Sequence, residues 1–536
     1  MNASSSSVVA KKPPSKVICA HFFELVRGAE THKCLICKGF VGQSLTKGYA
    51  NLLTHVERNH PAAYNAFLSN SEGVVPLSGR IEAAFYSEKA RRYWMWLRIV
   101  IMEDCSFRFC ESPTMREFFP QHAICTNTFM KYMELVYLAT VEVIKNLLPP
   151  KFGLVFDGWS DGLGNHFCGI FAVGNKDGES VRVMLTFQRF EDETNQSAQN
   201  YIEFMNLTLE TFGRTIESVT FLVGDNCATN KKISEDICLP LIGCYSHRLN
   251  LALTLFLKVR ETLLAKVDSL MTHLRTPRVF GLLKRVTKLT PVRRNKTRWS
   301  STYEFLERYL ELHPFLEHCG PTIVPMALNM QEYQEIKVLV RQLKMMNEAT
   351  KLLQRDDVNM LQAQQVFKVV VENFPMEPGM QERYLNVNAI IATDVAFSTG
   401  IARIIERKEH MLTDAQRTAV QCFLRPSDDE DDEERYEEQK DTDISDWSSQ
   451  LTNIFDKPTK RRRHESNYID LKFIPPTSNC VERMFSVCKN ILGDDRHAMT
   501  PEHFEMVVFL KMNHKHWTLK TVNDVINAPS PSTTHA

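Results

Sequence analysis

The chain has 536 residues and a mass of 61.8 kDa, with 43% hydrophobic and 24% charged residues. This composition is ordinary for a folded protein, and it excludes a chain that is disordered throughout, a collagen-like chain and a disulfide scaffold. No run of 18 apolar residues and no secretory signal is present, so we expect neither a membrane span nor export. The fourteen cysteines are scattered except for the pair Cys34 and Cys37, which favours a reducing compartment and one metal site.

The formal net charge is zero, but the charges are distributed unevenly along the chain. The tract Asp428–Asp443 has eleven acids and two bases, a net of −9, so the rest of the chain carries +9. Nine bases and no acid lie between Arg275 and Arg298, and residues 1–70 have eight bases and three acids. A single basic run is most often a solvated surface, but two such regions predict affinity for a polyanion.

Helices and strands are predicted in separate stretches of the first half of the chain. Residues 1–16 are predicted to form a disordered arm and 17–68 a small unit around the cysteine pair. A helical region over 78–148 follows, because apolar residues recur there at helical spacing. Apolar segments bounded by turn residues then predict strands at 152–157, 166–174, 180–187, 219–226 and 241–244. Helices are predicted between these strands at 197–212 and 228–237, and after the last strand from His247.

The second half is predicted to be mainly helical, from 300 to about 424. The acidic tract 427–446 cannot bury apolar surface, so we expect it to be solvated. A basic cluster follows and predicts nuclear import, with phosphate contact as the alternative: Lys460, Arg461, Arg462 and Arg463. The last packed unit is predicted at about 468–522.

The first candidate site is a set of two cysteines and two histidines. Cys34 and Cys37 are two residues apart, and His55 and His60 follow on a segment predicted to be helical. Two thiolates and two imidazoles suit a closed tetrahedral zinc site. The unit has too little core to fold alone, so zinc would supply its folding free energy. The alternative is a free cysteine pair with surface histidines.

The second candidate site begins with two aspartates that follow apolar strands. Asp157 ends FGLVFD, and Asp225 ends the strand in VTFLVGDN. Such strand ends can bring two carboxylates within reach of Mg²⁺ or Mn²⁺, and two such ions can activate water and stabilise a leaving 3′-oxygen in phosphodiester chemistry. An aspartate after a strand is more often a turn or cap residue, and the pattern alone leaves that alternative open.

A third acid, Glu482, lies far downstream in PPTSNCVERMFS. Thr477 or Ser478 is expected to cap a helix after Pro476, which would put Glu482 in its second turn. By default such a glutamate forms a surface salt bridge, and pattern alone does not connect it with the two aspartates.

The cysteine and histidine unit resembles a BED-type zinc finger. The resemblance rests on the seventeen residues between Cys37 and His55 and on Phe22 and Phe23 upstream, although the usual upstream tryptophan is missing. It implies DNA binding by the finger, with phosphate contacts from Lys38, Lys47 and Arg58.

Five further segments resemble the hAT superfamily of cut-and-paste DNA transposases. They are DGWSD around Asp157, VGDNCATN around Asp225, CYSHRLNLAL, NKTRWSSTYEFLER, and IPPTSNCVERMFS with the following DDRHAMTPEHFEMVVFLKMN. The last of these is the most specific. Together with the finger, the resemblance covers about 17–68 and 150–515.

The hAT resemblance implies an α+β multidomain fold, in which an RNase H-like mixed sheet core is interrupted by an all-helical insertion and preceded by the zinc finger. It implies that Asp157, Asp225 and Glu482 form a metal-binding catalytic triad. Arg298 and Trp299 are implied to lie near DNA, with a core tryptophan as the alternative for Trp299. Arg293 and Arg294 of the basic stretch complete the expected DNA contacts, together with Lys38, Lys47 and Arg58 of the finger. Cys244 and His247 are expected to be structural residues or neighbours of the active site.

The same resemblance implies a division into domains. These are the arm 1–16, the BED-type finger 17–68, a helical DNA-binding or linker region 78–148, the first part of the core 150–299, the helical insertion 300–465 with the acidic tract 427–446, the last core helix with a C-terminal dimerisation region 466–522, and a disordered tail 523–536.

Two functions follow from these features. The first is a metal-dependent transposase that cleaves DNA and transfers strands, with structural Zn²⁺ and catalytic Mg²⁺ or Mn²⁺. The alternative is a domesticated, catalytically inactive zinc-finger protein that binds DNA and regulates transcription or chromatin. For both we expect double-stranded DNA and a second copy of the chain, as a homodimer or higher oligomer, as partners, with no membrane and a nuclear location. The intact triad favours the first, and the compact insertion leaves the second open.

Overall fold

The structure is a computed structural model that describes residues 15–25, 31–42, 49–61, 63–64, 86–161, 164–190, 196–294, 299–425, 446–456, 466–492 and 499–528. Outside these residues lie most of the predicted arm and tail, the acidic tract up to residue 445, and the basic cluster Lys460–Arg463. Within the described residues, no helix has both the length and the apolar character needed to cross a membrane. The chain divides into two units, one with Met1–Thr140 and His514–Ala536 and the other with Val141–Asn513.

The first unit begins with a small module of two helices and a three-stranded antiparallel sheet. Its elements are α1 Ser15–Phe22, β1 Phe23–Leu25, β2 Thr31–Cys34, β3 Phe40–Gly42 and α2 Ala50–Asn59, with strand order β1-β2-β3. Its core is a short group of buried side chains that includes Ile18, Phe22, Cys34, Leu52 and Val56. So few buried residues give little hydrophobic stabilisation, as expected for a module that depends on a metal.

The rest of the first unit is helical. It contains α3 Glu88–Met102, α4 Pro113–Phe118 and the first part of α5 Thr126–Leu147, and the C-terminal helix Leu519–Asn527 packs against α3. Trp96 of α3 is buried, and its indole N–H donates to His122 O at 2.7 Å. Trp517 is also buried, with the Arg98 guanidinium 5.8 Å from its ring centre. This grouping differs from the expected single unit over 466–522, because the division falls between Asn513 and His514.

The second unit is built on a mixed sheet of five strands. The strands are β4 Phe152–Ser160, β5 His166–Lys176, β6 Glu179–Arg189, β7 Val219–Gly224 and β8 Leu241–Gly243, in the order β6-β5-β4-β7-β8. β4, β5 and β6 are antiparallel neighbours, whereas β7 lies parallel to both β4 and β8. The five strand predictions are confirmed. β4 continues past Asp157, because Trp159 and Ser160 still pair with β5.

Helices follow the strands and then form a long helical region. After β6 and β7 come α6 Ala198–Thr211 and α7 Ala228–Ile237, and after β8 come α8 Tyr245–Lys258, α9 Glu261–His273 and α10 Pro277–Val286. The helical region has α11 Trp299–Leu312, α12 Met330–Leu353, α13 Met360–Asn373, α14 Val395–Ile405, α15 Asp414–Val420 and α16 Trp447–Asp456. The prediction of a mainly helical stretch from 300 to about 424 is therefore confirmed.

The last two helices of the second unit, α17 Asn479–Leu492 and α18 Pro501–Met512, return the chain to the sheet. α17 contacts β4 and β5, and α18 contacts β6. Their apolar residues, which could have faced a second copy, are instead buried within this chain, among them Met484, Phe485 and Phe504. Self-association therefore stays a prediction that these residues do not support.

Candidate metal sites

Cys34 and Cys37 are presented by a tight turn at the end of β2. Two main-chain hydrogen bonds close the turn, from Cys34 N–H to Gly39 O at 2.8 Å and from Lys38 N–H to Cys34 O at 2.9 Å. Lys38 adopts a left-handed conformation, with φ of 61°. This backbone brings both thiols to one side, while α2 supplies His55 and the residue after its end supplies His60.

The four side chains form one compact set. Cys34 Sγ lies 3.5 Å from His60 Nε2, and Cys37 Sγ lies 3.5 Å from His55 Nε2. All four ligand atoms lie within 4.8 Å of one another. A tetrahedral zinc ion with bonds of about 2.3 Å to sulfur and about 2.05 Å to nitrogen would separate sulfur from nitrogen by about 3.6 Å. The residues present therefore fit a zinc ion.

The environment of His55 also suits a metal ligand. Burial lowers the pKa of His55, and the neighbouring His60 lowers it further, so the ring is held in the neutral form that binds metals. The Asn59 side-chain amide lies 3.1 Å from His55 Nδ1. Asn59 Nδ2 is the atom that faces His55 Nδ1, and an amide turned by 180° would instead accept the Nδ1 proton through Oδ1 and leave Nε2 for a metal.

The acidic residues lie at a cleft beside the carboxyl ends of β4 and β7. Asp157 is on β4 and Asp225 follows β7, its parallel neighbour. Both line a cleft of about 350 Å³, whose other walls are aromatic or polar and include Trp159, His166, Phe190, Tyr201 and Asn230. Adjacent parallel strands end at the same edge of a sheet, so this placement follows from the topology.

The pKa of Asp157 is shifted by burial and by two other acids. Burial, together with the negative charges of Asp225 and Glu482, raises the pKa of the half-buried Asp157 carboxyl to about 8. The Gly158 N–H, which donates to Asp157 Oδ1 at 2.9 Å, opposes this shift. Three acids from distant segments therefore act on one another electrostatically.

The three acids do not form a compact ligand set of this kind. In the described part of the chain, the group of three or more side chains placed to hold one metal ion is the cysteine and histidine set, whose ligand atoms all lie within 4.8 Å of one another.

Asp225 is oriented by its own loop. Its Oδ1 accepts from Asn230 Nδ2 at 2.6 Å and from Cys227 N–H at 3.2 Å. Asn230 lies in the first turn of α7, whose N-cap is Cys227. These bonds fix one carboxylate oxygen, and the cleft residue Asn230 thereby holds Asp225 in place.

Glu482 lies in the first turn of α17, since this helix begins at Asn479. The expectation of the second turn was wrong by these few residues. The segment before it is tied to the start of α8, because Ser478 N–H donates to Cys244 Sγ at 3.4 Å and Tyr245 N–H to Pro476 O at 3.1 Å.

Cys244 has the structural role that was one of its two expected roles. Its thiol is buried, and burial followed by the charge of Glu482 raises its pKa to about 11. A thiol with that pKa is a poor metal ligand at neutral pH.

Gly169 lets α17 lie directly on the sheet next to Asp157. It pairs with Asp157 across β4 and β5. A Cβ atom at this position would come within 2.2 Å of Met484 Cε and 3.1 Å of Val481 Cγ1, both on α17. The absence of a side chain therefore sets how closely the Glu482 helix approaches Asp157.

The predicted DNA contacts fall into three groups. Lys38 and Arg58 are exposed on the cysteine and histidine module, although the Lys38 ammonium group donates to Leu35 O at 2.9 Å. Arg293 is exposed in the basic stretch. Lys47, Arg298 and the Trp299 side chain lie outside the described residues.

Arg294 differs from the expectation of a DNA contact. Its guanidinium makes two hydrogen bonds to Glu261, of 2.8 and 2.9 Å, and its side chain is only 6% exposed. In this conformation Arg294 joins the segment after α10 to α9 and presents no free face to a phosphate. Its neighbour in sequence, Arg293, has no such partner among the described contacts.

Sequence reasoning missed Gly169, Asn230, Asn479 and Arg483 as residues that shape the acidic site. Gly169 is an isolated glycine within a predicted strand, a pattern that often marks a close approach of another element, so a signal was present. Asn230 acts on Asp225 five residues away, whereas Asn479 and Arg483 act through partners far away in sequence that no local pattern reveals.

The comparisons with known proteins are limited. The chain matches no family model and no curated protein sequence. Among solved structures, it aligns with the Drosophila P element transposase strand transfer complex over 88% of this chain and 99% of that chain, at 10% identity and a TM-score of 0.29.

Proposed function

We propose that this protein is a DNA-binding transposase of the hAT type, with divalent cations held by Asp157, Asp225 and Glu482 in its core. The observation that carries the proposal is the placement of Asp157 and Asp225 on one cleft beside two parallel strands, with Glu482 near enough to raise the pKa of Asp157. Carboxylates that repel one another beside a cleft are a common way to hold hard cations. The hAT-like segments DGWSD, VGDNCATN and IPPTSNCVERMFS contain these three acids and support the same function.

The finer description of the fold is part of this proposal. An RNase H-like core has three antiparallel strands followed by two strands parallel to the first. The order β6-β5-β4-β7-β8 and the strand directions support that assignment. The helices between 299 and 456 would then be the insertion, and α17 would bring the last acid back to the core.

The chemistry of the site follows from its residues. Divalent cations held by the three acids would supply activation of water and stabilisation of the leaving 3′-oxygen in phosphodiester cleavage. At pH 7 and without a cation, Asp157 holds a proton, because its pKa is raised to about 8. Asp157 must release that proton to act as a ligand, while Asn230 keeps one oxygen of Asp225 fixed.

The cysteine and histidine module would bind zinc and contact DNA. Its exposed Lys38 and Arg58 lie on the turn and on α2, where they could approach phosphates. The turn between the two cysteines also exposes two apolar side chains, Leu35 and Ile36, which are 42% and 44% exposed.

Catalysis is tested with full-length protein and double-stranded DNA that carries the sequences flanking its gene. We expect nicking that requires Mn²⁺ or Mg²⁺ and is lost in Asp157→Asn, Asp225→Asn and Glu482→Gln. Asp161→Asn is the matched control, since the Asp161 carboxylate holds the turn through Asn165 N–H and Nδ2, at 2.9 and 2.6 Å. If wild type nicks no better than the three variants while DNA binding persists, the non-catalytic DNA-binding function replaces this proposal.

DNA binding through the basic stretch is tested with two neighbouring arginines. Arg293→Ala removes an exposed cation, so we expect the slope of log affinity against log salt concentration to fall by about one unit. Arg294→Ala breaks a buried ion pair with Glu261, so we expect lower thermal stability with little change of slope. Equal slopes for wild type and Arg293→Ala would remove Arg293 from the DNA contacts.

Nuclear location and self-association belong to the same proposal. The cluster Lys460–Arg463 supplies the basic charge that import signals use. Microscopy of a variant with four alanines there, and sedimentation of the wild-type protein, test the two points. A nuclear four-alanine variant, or a monomer at all concentrations, would contradict the respective point.

A further inference from the structure

The helical region contacts the Glu482 helix through residues Gln354–Asp357, which lie in the loop between α12 and α13. Arg483, the residue after Glu482, donates from Nη1 to Gln354 O at 2.8 Å and from Nη2 to Asp356 Oδ1. Asp356 also pairs with Arg182 of β6, at 3.3 Å between Nη1 and Oδ1. One carboxylate of the helical region therefore joins α17 to the sheet.

Asn479 makes a second connection at the start of the same helix. Its side chain is only 3% exposed, and its Nδ2 donates to Leu353 O at 2.9 Å and to Ser246 Oγ at 3.0 Å. Leu353 is the last residue of α12, and Ser246 lies at the start of α8. Asn479 thus links α17 to the helical region and to the core at one point.

These two connections lie on either side of Glu482. Asn479 and Arg483 are four residues apart, so they share one face of the first turn of α17, and Glu482 lies between them. Below the helix, the contact of Met484 with Gly169 fixes its height above the sheet. The apolar packing sets that height, whereas the polar contacts set rotation and position along the helix axis.

We propose that Asn479 and Arg483 are positioning residues, and that the loop Gln354–Asp357 holds the Glu482 carboxylate in place relative to Asp157 and Asp225. The inference rests on the proposed metal-dependent function. It gives the helical region a task in metal binding although that region contributes none of the three acids. Loss of the loop contacts would leave α17 packed through its apolar face but let its first turn shift, and carboxylates that shift by a fraction of an ångström bind metal less well.

The test compares neighbouring acids of the same loop in the full-length protein. Asp356→Ala removes the partner of Arg483, whereas Asp357→Ala removes a carboxylate that binds Arg355 of the same loop, at 2.6 and 2.8 Å. Mn²⁺ affinity is measured by electron paramagnetic resonance, with thermal stability recorded in parallel. We expect Asp356→Ala to weaken Mn²⁺ binding about three- to fivefold, because the ion pairs it breaks are exposed and such pairs contribute up to about 1 kcal/mol. Asp357→Ala should stay within about twofold of wild type, since it removes no contact to α17.

Arg483→Gln provides the second variant, because it removes the ion pair from the other side and keeps an amide donor for Gln354 O. We expect it to weaken Mn²⁺ binding as Asp356→Ala does, and Arg483→Lys to recover part of the loss. If Asp157→Asn abolishes binding while Asp356→Ala and Arg483→Gln bind Mn²⁺ like wild type, the positioning role is overturned and the proposed function stands. If wild type binds no Mn²⁺, or Asp157→Asn binds it equally well, the proposed function itself fails.

Discussion

The two candidate metal sites are built in opposite ways. The cysteine and histidine site takes its four ligands from a short segment, with Cys34 and His60 26 residues apart, and its module has few buried side chains. The acidic site takes its three carboxylates from β4, from the loop after β7 and from α17. The strands of this sheet have many buried apolar side chains and need no metal to pack. We therefore expect the first site to depend on a metal for folding, whereas the fold itself holds the acids of the second site in place.

This difference changes what a metal does at each place. At the first site, soft ligands and a small core make metal binding and folding one process. At the second, the neighbouring acids keep a proton on Asp157 until a cation displaces it, while the sheet holds the acids in place without a metal. Removing metal should therefore unfold one region and leave the other folded.

The largest expected effect is the loss of zinc from the module in Cys37→Ser. Structural zinc contributes about 10–16 kcal/mol of apparent binding free energy in comparable small modules, far more than this core can replace. We expect the zinc content to fall from about one ion per chain to none, and α2 to lose its protection from hydrogen exchange. Cys125→Ser is the control, because that exposed cysteine contacts Thr128 and lies outside the module. If Cys37→Ser keeps its zinc and a protected α2, folding of the module does not depend on this metal ligand and the contrast between the two sites is wrong.

The next effect concerns pH and cation binding at the acidic site. Asp157 must lose its proton to bind a cation, and its pKa is raised to about 8. Mn²⁺ affinity should therefore rise about tenfold per pH unit between pH 6 and 8 and level off above 8. Calorimetric titration of the full-length protein measures this, with Asp161→Asn as the matched control. A flat affinity over that range would mean that Asp157 is not a ligand.

A smaller effect is expected on the stability of the metal-free protein. An unfolded Asp157 titrates near its ordinary value of 3.8, whereas the folded one keeps its proton up to about pH 8. Between about pH 4 and 8 the folded state therefore binds the extra proton, so Asp157 lowers stability progressively as the pH rises, and its effect is constant above pH 8. Asp157→Asn should stabilise the second unit by roughly 1–3 kcal/mol at pH 8, a value reduced for partial solvent screening, and by almost nothing near pH 4. Thermal unfolding of both proteins in the presence of a chelator, at pH 4 and pH 8, measures this difference. A variant that is less stable than wild type at pH 8 would contradict the prediction.

The smallest pair of effects separates the position of α17 from general stability. Gly169→Ala would force Met484 and Val481 to move, so we expect a loss of about 1–3 kcal/mol together with weaker Mn²⁺ binding. Gly281→Ala on α10 meets open space, so we expect a gain of about 0.5–1 kcal/mol and unchanged Mn²⁺ binding. Thermal unfolding and metal titration of both variants measure this. Equal Mn²⁺ affinity in Gly169→Ala and wild type would show that the height of α17 does not govern the acidic site.

The same contrast explains how much the sequence could predict. The zinc ligands were predictable because spacing within one short segment decides which atoms meet. The five strands were predictable from apolar runs and turn residues, and the topology then placed Asp157 and Asp225 at one edge. Glu482 was identified only through its resemblance to a family motif, since no local pattern relates it to the sheet.

Other features were not predictable because they depend on partners remote in sequence. Arg294 was expected to contact DNA, but its guanidinium forms an ion pair with Glu261, the first residue of α9. Nothing in the segment around Arg294 distinguishes it from Arg293. The link from Asn479 to Leu353 is similar, since it depends on where α12 ends in space rather than on any spacing within α17.

The C-terminal helix Leu519–Asn527 has a consequence for the order in which the protein is made. It packs against α3 and belongs to the first unit, yet the whole second unit, Val141–Asn513, is translated between those two helices. Domains generally fold as they emerge during synthesis, so the second unit can fold before the helix Leu519–Asn527, which packs against α3, has been synthesised. The first unit is therefore the later of the two to be completed, although it contains the residues that are synthesised first.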